Sequence, residues 1–197
     1  MALVLLAVVL LGGAAISWSR GVAEREAVEG ALDDVPGLQP DSAEVAETTV
    51  APPADAQPAE VVRVIDGDTL IVTGEPGTVL AAAGETTIRL LQIDTPEVDG
   101  PNTTEQCFGP QASAYTTQLL PGGSMLLLGR DEGLTDQFGR TLAFAWTADG
   151  RFVNELILRN GYGYASFVSP NDQHISVMFT AEDAARSDRR GLWGTCA

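Results

Sequence analysis

The sequence predicts an α+β fold in which five short strands close into a barrel and about three helices pack around it. Five runs of β-branched and apolar residues are separated by turns rich in glycine, proline and aspartate, and three helical patterns interrupt or follow them. A closed barrel leaves no strand edge exposed, so it suits a small domain made of many short strands.

The first two strands are predicted at 61–65 and 69–73, joined as a hairpin by the acidic turn between them. A third strand is predicted at 86–93, and it carries Arg89. Because Arg89 has the same strand parity as the apolar residues that follow it, its side chain is expected to face the barrel interior or its mouth. A charge in that position needs a partner.

The remaining elements alternate between helices and strands. Gly109-Pro110 opens a helix, since proline is tolerated in the first turn, where its missing N–H is not needed. Gly161 ends a later helix as a C-cap. The elements predicted after the third strand are a loop at 98–106, a helix at 109–120, strands at 124–128 and 141–146, and helices at 151–160 and 174–190.

Composition divides the chain into three parts. Residues 1–16 carry no charged or polar side chain, which predicts a signal peptide or a membrane anchor over 1–19. The run is short for a membrane span of about 20 residues, and no basic residue precedes it, so the two alternatives stay open. Residues 20–59 are acidic, rich in alanine and proline and without an apolar period, which predicts a disordered linker. Residues 60–197 suffice for one compact domain.

The net charge of −16 and the absence of lysine limit the possible functions. Non-specific affinity for nucleic acid comes from neutralising phosphates, so a tight, processive DNA-binding protein is excluded. An enzyme that binds cations at its acids and makes weak, transient contacts with its substrate is compatible with this charge.

Five segments occur in a fixed order in the C-terminal domain. They are IDGDT at 65–69, RLLQIDTPE at 89–97, GPQASAYT at 109–116, DQFGRTLAFAW at 136–146 and DGRFVNELILRNG at 149–161. Together they resemble the staphylococcal (micrococcal) nuclease family over nearly all of residues 60–197. The resemblance implies an OB-fold barrel with three helices. It also implies a monomeric, calcium-dependent nuclease that acts on DNA and RNA, leaves 3′-phosphate ends, and is secreted or membrane-anchored outside the cytoplasm.

The resemblance also assigns metal ligands to single positions. Ca²⁺ is expected on the carboxylates of Asp68 and Asp94 and on the main-chain carbonyl of Thr95, which are the oxygen ligands that this ion prefers. Asp66 is expected beside them, holding the turn or a metal-bound water.

The catalytic groups are implied in the same way. Glu97 matches the general base for the attacking water, and Arg89 and Arg140 match the two guanidiniums that grip the scissile phosphate. An arginine fork fits a phosphate bidentately. A cation and two arginines would together oppose the negative charge that builds on phosphorus.

Some positions depart from the best-known member of the family. Gln137 and Phe138 stand where that member has a lysine and a tyrosine, and the loop at 98–106 has no positive charge. Phe167 and Ser169 stand in place of aromatic residues that pack on the nucleotide base. We therefore expect retained chemistry with weaker substrate binding.

Two other functions were weighed. A non-catalytic OB-fold module would bind single-stranded nucleic acid or a protein partner, and an anchored surface protein would carry a vestigial domain. A binding module normally has basic grooves and aromatic platforms, and it has no need of two placed arginines and Glu97. The enzyme is therefore favoured.

The sequence has two cysteines, Cys107 and Cys196. Two free thiols would be the expectation in a cytosolic protein. Export, together with the family fold, in which the last helix ends on the side where the first one begins, favours a disulfide between them. His174, the single histidine, is expected on the surface at the start of the last helix.

Overall fold

The structure, a computed structural model, describes residues 50–101 and 103–196. The predicted signal peptide or anchor at 1–19 and most of the predicted linker lie outside these residues. The first strand begins at Gln57, inside the segment assigned to the linker, and buries alternate residues from its first position. Within the described part of the chain, no helix combines the length and apolar character that a membrane span requires.

The strands of the described residues are β1 (Gln57–Val64), β2 (Thr69–Gly74), β3 (Gly84–Leu90), β4 (Ile93–Asp94), β5 (Met125–Gly129), β6 (Thr141–Thr147) and β7 (Tyr164–Ala165). Five of them form a closed barrel in the order β1-β2-β3-β6-β5. Only the β3–β6 pair of this barrel is parallel, and the other pairs are antiparallel. This confirms the predicted α+β class and the five-stranded OB-fold barrel.

Three helices occupy the predicted places, and one further turn follows them. They are α1 (Gly109–Leu119), α2 (Val153–Arg159), α3 (Ile175–Ser187) and the single turn α4 (Leu192–Thr195). The sequence did not predict α4, because four residues are too few to show a helical period. Helix α2 packs against α3 and β6 and buries most of its residues.

The predicted third strand at 86–93 is in fact two strands, which corrects the placement of Arg89 and Ile93 on a single strand. Gln92 has a left-handed φ of 61°, and this breaks the extended backbone after β3. The main-chain oxygen of Gln92 accepts the N–H of Ser166 at 3.0 Å. Strand β4 therefore leaves the barrel and pairs with β7.

A buried asparagine holds the break between β3 and β4. Asn154 is fully buried on α2, and its Nδ2 donates to the carbonyl of Leu91 at 2.8 Å. Its Oδ1 accepts the N–H of Ala145 on β6 at 3.0 Å. Because Asn154 satisfies both main-chain groups in the apolar interior, it fixes the point at which the chain turns towards Asp94.

Candidate active site

The acidic turn between β1 and β2 is a tight loop closed by its own backbone. Ile65 N–H donates to the carbonyl of Thr69 at 2.8 Å. The Oδ1 atom of Asp66 accepts the N–H of Asp68 at 3.0 Å, as aspartate commonly does in turns. Asp66 therefore holds the turn, which is one of the two roles expected for it.

This turn packs directly against the segment that follows β4. A Cβ atom on Gly67 would lie 2.5 Å from Oγ1 of Thr95, so only glycine allows this approach. On the other side of the turn, the hydroxyl of the buried Thr116 on α1 donates to the carbonyl of Gly67 at 2.7 Å. The two acidic segments are thus brought together by a glycine and by a bond from α1.

Asp68 connects these segments through its side chain. It is 6% exposed, and its Oδ2 accepts the N–H of Thr95 at 2.9 Å and the hydroxyl of the same residue at 3.2 Å. Its Oδ1 lies 3.1 Å from Nε of Arg89. A buried carboxylate needs such partners, and here they come from the segment at 89–97, which is the second of the predicted motifs.

Arg89 lies between the two aspartates expected to bind metal. In addition to its contact with Asp68, its Nη2 donates to Oδ1 of Asp94 at 2.9 Å. Its Nη1 donates to the carbonyls of Leu90 and Ile93 at 2.5 and 2.7 Å. Four of its five N–H groups are therefore engaged, and the side chain fixes the position of β4 relative to β3.

Arg140 approaches the same site from the other side. Its Nη1 lies 3.4 Å from Oγ1 of Thr69, the residue next to Asp68. Its Nε donates to Oδ2 of Asp136 at 2.6 Å, and its guanidinium lies 5.5 Å from the ring centre of Phe138. A contact at this distance is within the range of a cation–π interaction.

Two carboxyl groups of the site, those of Asp94 and Glu97, have raised pKa values. Burial raises the pKa of Asp94, and the charge of Asp68 raises it further. Burial is also the main cause of the raised pKa of Glu97, followed by the charges of Asp68 and Asp94, whereas Arg89 and Arg140 lower it. Five of the predicted site side chains are therefore close enough to interact electrostatically.

The main chain of Glu97 is fixed by the segment that leads into α1. Glu97 N–H donates to Oε1 of Gln106 at 3.0 Å, and Gln106 N–H donates to the carbonyl of Glu97 at 2.9 Å. Gly109 packs on the same carbonyl, since a Cβ there would lie 2.1 Å from the Glu97 oxygen. The predicted loop at 98–106 is thus closed at its two ends.

The surroundings of the site are exposed and partly aromatic. Phe138 is 75% exposed and Phe167 is 52% exposed. Tyr162 is buried instead, and its ring stacks on Tyr115 with centroids 4.1 Å apart. Tyr162 therefore belongs to the core.

The expected disulfide is present between Cys107 and Cys196, whose Cα atoms are 6.0 Å apart. Cys107 follows Gln106 directly, so the bridge attaches the C-terminal end of the domain beside the closed end of the loop. His174 departs from its prediction. It does precede α3, but its ring is half-buried and packs edge-on against Phe144 at 4.7 Å.

The oxygen atoms at this site fit a hard divalent cation. One guanidinium contacts both Asp68 and Asp94, and the raised pKa of Asp94 reflects burial and repulsion that a cation would relieve. In residues 50–101 and 103–196, no three His, Cys, Asp or Glu side chains form a metal-binding group on their own. A cation here would therefore need main-chain oxygen, such as that of Thr95, and water, which calcium accepts readily.

Sequence reasoning did not identify Asp136, Gln106 and Thr116 as parts of the site. Each of them contacts a predicted site residue or its turn through a hydrogen bond to the backbone or to a guanidinium. The four-residue spacing between Asp136 and Arg140 could have suggested a pair in a helix, but here it spans a turn. Gln106 carried no signal, because a polar residue in a polar loop has no distinguishing pattern.

The protein therefore has an OB fold, with a cluster of carboxylates and guanidiniums at one end of the barrel. Comparison with known proteins gives the family. The protein-family model described as "Staphylococcal nuclease homologue" matches residues 87–195, more than half of the chain. The chain belongs to the staphylococcal nuclease family.

Individual relatives support this assignment. A protein named "Thermonuclease" from Staphylococcus hyicus is 33% identical over 140 residues, which cover 71% of this chain and 78% of the relative. The "Thermonuclease" of Staphylococcus intermedius is 34% identical over 133 residues, or 68% of this chain and 74% of that protein. "Endonuclease YncB" of Bacillus subtilis (strain 168) is 33% identical over 132 residues, covering 66% of this chain and 59% of that protein.

Proposed function

We propose that this protein is a calcium-dependent nuclease that hydrolyses phosphodiester bonds of DNA and RNA and leaves 3′-phosphate ends. The thermonuclease and endonuclease relatives support a nuclease function. The observation that carries the proposal is the convergence of two aspartates, one glutamate and two arginines at one end of the barrel.

The cation would be held by the carboxylates of Asp68 and Asp94 and by the main-chain carbonyl of Thr95. When bound, Ca²⁺ would supply positive charge against the negative charge that develops on the phosphate. The buried position of Asp68 and its bonds to Thr95 keep these groups in place before any ligand arrives. A preorganised site of this kind avoids a reorganisation cost during the reaction.

Arg89 and Arg140 would hold the scissile phosphate from two sides. Arg89 is fixed by its contacts with main-chain carbonyls of β3 and β4, so its direction does not depend on solvent. Arg140 has its Nε bound to Asp136, and its Nη1 is directed towards Thr69 in the site. Two guanidiniums in fixed positions match the oxygens of one phosphate.

Glu97 would accept the proton of the attacking water. The water oxygen forms a bond to phosphorus, the bond from phosphorus to the 5′-oxygen breaks, and the 5′-oxygen takes a proton from solvent. The products are a 3′-phosphate and a 5′-hydroxyl. Burial is the largest cause of the raised pKa of Glu97, and it would still act when a cation neutralises Asp68 and Asp94, which makes the carboxylate a stronger base.

We also propose that the protein acts outside the cytoplasm, either secreted or anchored through residues 1–19, and that it is monomeric. The disulfide supports export, because such bridges persist in oxidising compartments. The apolar character of residues 1–16 supports it independently.

The test uses the full chain with single-stranded DNA and with RNA, in Ca²⁺, in Mg²⁺ and in EDTA, followed by analysis of product ends. We expect cleavage in Ca²⁺, little in Mg²⁺, whose octahedral demands a looser site does not meet, and none in EDTA. Glu97→Gln should lose about 100-fold or more in kcat. Glu105→Gln, in the same loop and exposed, is the matched control and should keep full activity. Binding without cleavage would instead support a non-catalytic module.

A further inference from the structure

We propose that Asp136 is a positioning residue for Arg140, and that it directs the arginine's terminal nitrogens towards the phosphate. This inference rests on the proposed function, because it assumes that Arg140 contacts the substrate. Nothing in the family-level resemblance assigns Asp136 a role. Asp136 lies in the turn between Thr135 and Thr141, where the two threonines form an antiparallel bridge.

Asp136 binds both the backbone and the side chain of Arg140. Its Oδ1 accepts the main-chain N–H groups of Phe138 and Arg140, each at 2.9 Å. Its Oδ2 accepts the Nε–H of Arg140 at 2.6 Å. Its own N–H donates to the carbonyl of Arg140 at 3.1 Å, and its carbonyl accepts the N–H of Gly139 at the same distance. Asp136 therefore fixes both the main chain from which the Arg140 side chain extends and the direction of that side chain.

The contact at Nε has a directional consequence. Because Nε is engaged on one edge, the opposite edge of the guanidinium, with Nη1, points to Thr69 and the acidic turn. The side chain of Arg140 is 32% exposed, so without this contact it would lose little by rotating into solvent. The ring of Phe138, 5.5 Å from the guanidinium carbon, limits movement on a third side.

The state of the carboxyl group agrees with this geometry. Burial alone would raise the pKa of Asp136, but the hydrogen bonds from Arg140 and Phe138 outweigh it and hold that pKa below its ordinary range. Asp136 therefore remains a charged acceptor wherever the enzyme is expected to work.

A turn-forming role and a positioning role can be separated with one substitution. In Asp136→Asn the amide oxygen can still accept the two main-chain N–H groups, and asparagine is well tolerated in such turns. The amide nitrogen that replaces Oδ2 cannot accept from Nε of Arg140. The turn is preserved and only the contact with the arginine side chain is lost.

The experiment measures kcat and KM on single-stranded DNA in saturating Ca²⁺ for the full-length wild type, Asp136→Asn, Arg140→Lys and the double variant. We expect Asp136→Asn to lower kcat about 10-fold or more, since small displacements of a placed group cost this much or more. The double variant should be no slower than Arg140→Lys alone, because the two residues act as one unit.

Asp149→Asn is the matched control. Asp149 also lies in a turn, and its Oδ2 accepts the Nε–H of Arg151 at 3.0 Å, but neither residue is part of the proposed site. Its kcat should stay within about two-fold of wild type, as expected for an exposed pair. If Asp136→Asn fails to fold by thermal unfolding, Asp136→Ser keeps a turn acceptor that is too short to reach Nε.

The outcomes separate the inference from the proposed function. If Arg140→Lys is strongly impaired while Asp136→Asn, folded, matches wild type, the positioning role is overturned and the proposed function stands. Additive losses in the double variant would also overturn it. If Arg140→Lys itself matches wild type, both the inference and the assigned role of Arg140 fail.

Discussion

Glu97 and Gln106 exchange two hydrogen bonds, one through the side-chain oxygen of Gln106 at 3.0 Å and one through its main-chain N–H at 2.9 Å. The eight residues between them form a loop whose ends are joined at the proposed general base. The start of α1 adds a steric limit, because Gly109 lies against the carbonyl of Glu97. The backbone of Glu97 is thus held by the chain that follows the loop.

This arrangement predicts that Gly109→Ala impairs the enzyme through Glu97. A Cβ at this position would lie 2.1 Å from a main-chain oxygen, which cannot be relieved by a side-chain rotation. We expect about 1–3 kcal/mol of destabilisation from overpacking. Because alanine otherwise favours a helix, a loss of kcat of about 10-fold or more would report the displacement of Glu97.

Gly122→Ala provides the comparison for this substitution. Its Cβ would lie 3.1 Å from the carbonyl of Val62, a contact that a small shift relieves, and it is remote from Glu97 along the fold. Steady-state kinetics with urea unfolding of both variants would separate the effects. If Gly109→Ala lost stability but kept its kcat, the packing of α1 would not control Glu97.

The barrel, the three longer helices and the charged residues of the site could be predicted from the sequence. Periodicity, turn residues and short motifs are local signals, so they can be recognised without knowledge of the fold. The prediction of one strand over 86–93, which joined Arg89 and Ile93, was wrong. The break depends on the left-handed Gln92 and on the buried Asn154, which is more than 60 residues away in sequence. Long-range contacts of this kind leave no pattern in the segment that they shape.

The supporting residues of the site were missed for a related reason. Asp136 and Gln106 act through hydrogen bonds to a neighbour's backbone or guanidinium. Such bonds depend on where a turn places two atoms, and residue type alone does not show this. Resemblance to a family identified the groups that we propose contact the substrate, whereas the structure was needed to find the residues that hold them.

Arg89→Lys is predicted to lose about 100-fold or more in kcat, because lysine keeps the charge but cannot hold it in a fixed position through several contacts at once. Arg89 now contacts Asp68, Asp94 and two main-chain carbonyls, and a single ammonium cannot replace all four bonds. Arg63→Lys on the exposed side of β1 is the control and should behave as wild type. An Arg89→Lys enzyme within a few-fold of wild type would show that this guanidinium is not a phosphate clamp.

Reduction of the Cys107–Cys196 bridge is predicted to lower stability without abolishing the chemistry. The bridge joins residues 89 positions apart, for which the chain-entropy model gives an upper figure of about 4–5 kcal/mol. Urea unfolding of Cys196→Ser should show a large part of this loss. Addition of a dithiol should destabilise the wild type and leave Cys196→Ser unchanged, whereas equal effects on both would point to a cause other than the bridge.

His174 gives the structure a pH-dependent stability that its predicted surface position did not suggest. Its ring packs edge-on against Phe144 and Phe152, with centroids 4.7 and 5.4 Å away. Burial lowers the pKa of His174 below its ordinary value of 6.5, although the charge of Asp131 opposes this. The unfolded chain therefore takes up a proton at a higher pH than the folded protein does.

The difference between the folded and unfolded pKa values of His174 determines how stability changes with pH. Where the unfolded state binds more protons, stability rises with pH, so the contribution of His174 is present above about pH 6.5 and is lost as the pH falls towards the folded pKa.

His174→Phe keeps an aromatic ring on Phe144 and removes the titration. We expect the urea midpoint of wild type to fall more than that of His174→Phe between pH 7.5 and pH 5.5. Wild type must be compared with His174→Phe because Asp66, whose pKa is raised to about 6, titrates in the same pH range. Its titration has the opposite effect on stability and is present in both proteins. If the urea midpoints of the two proteins changed equally with pH, protonation of His174 would not destabilise the folded protein.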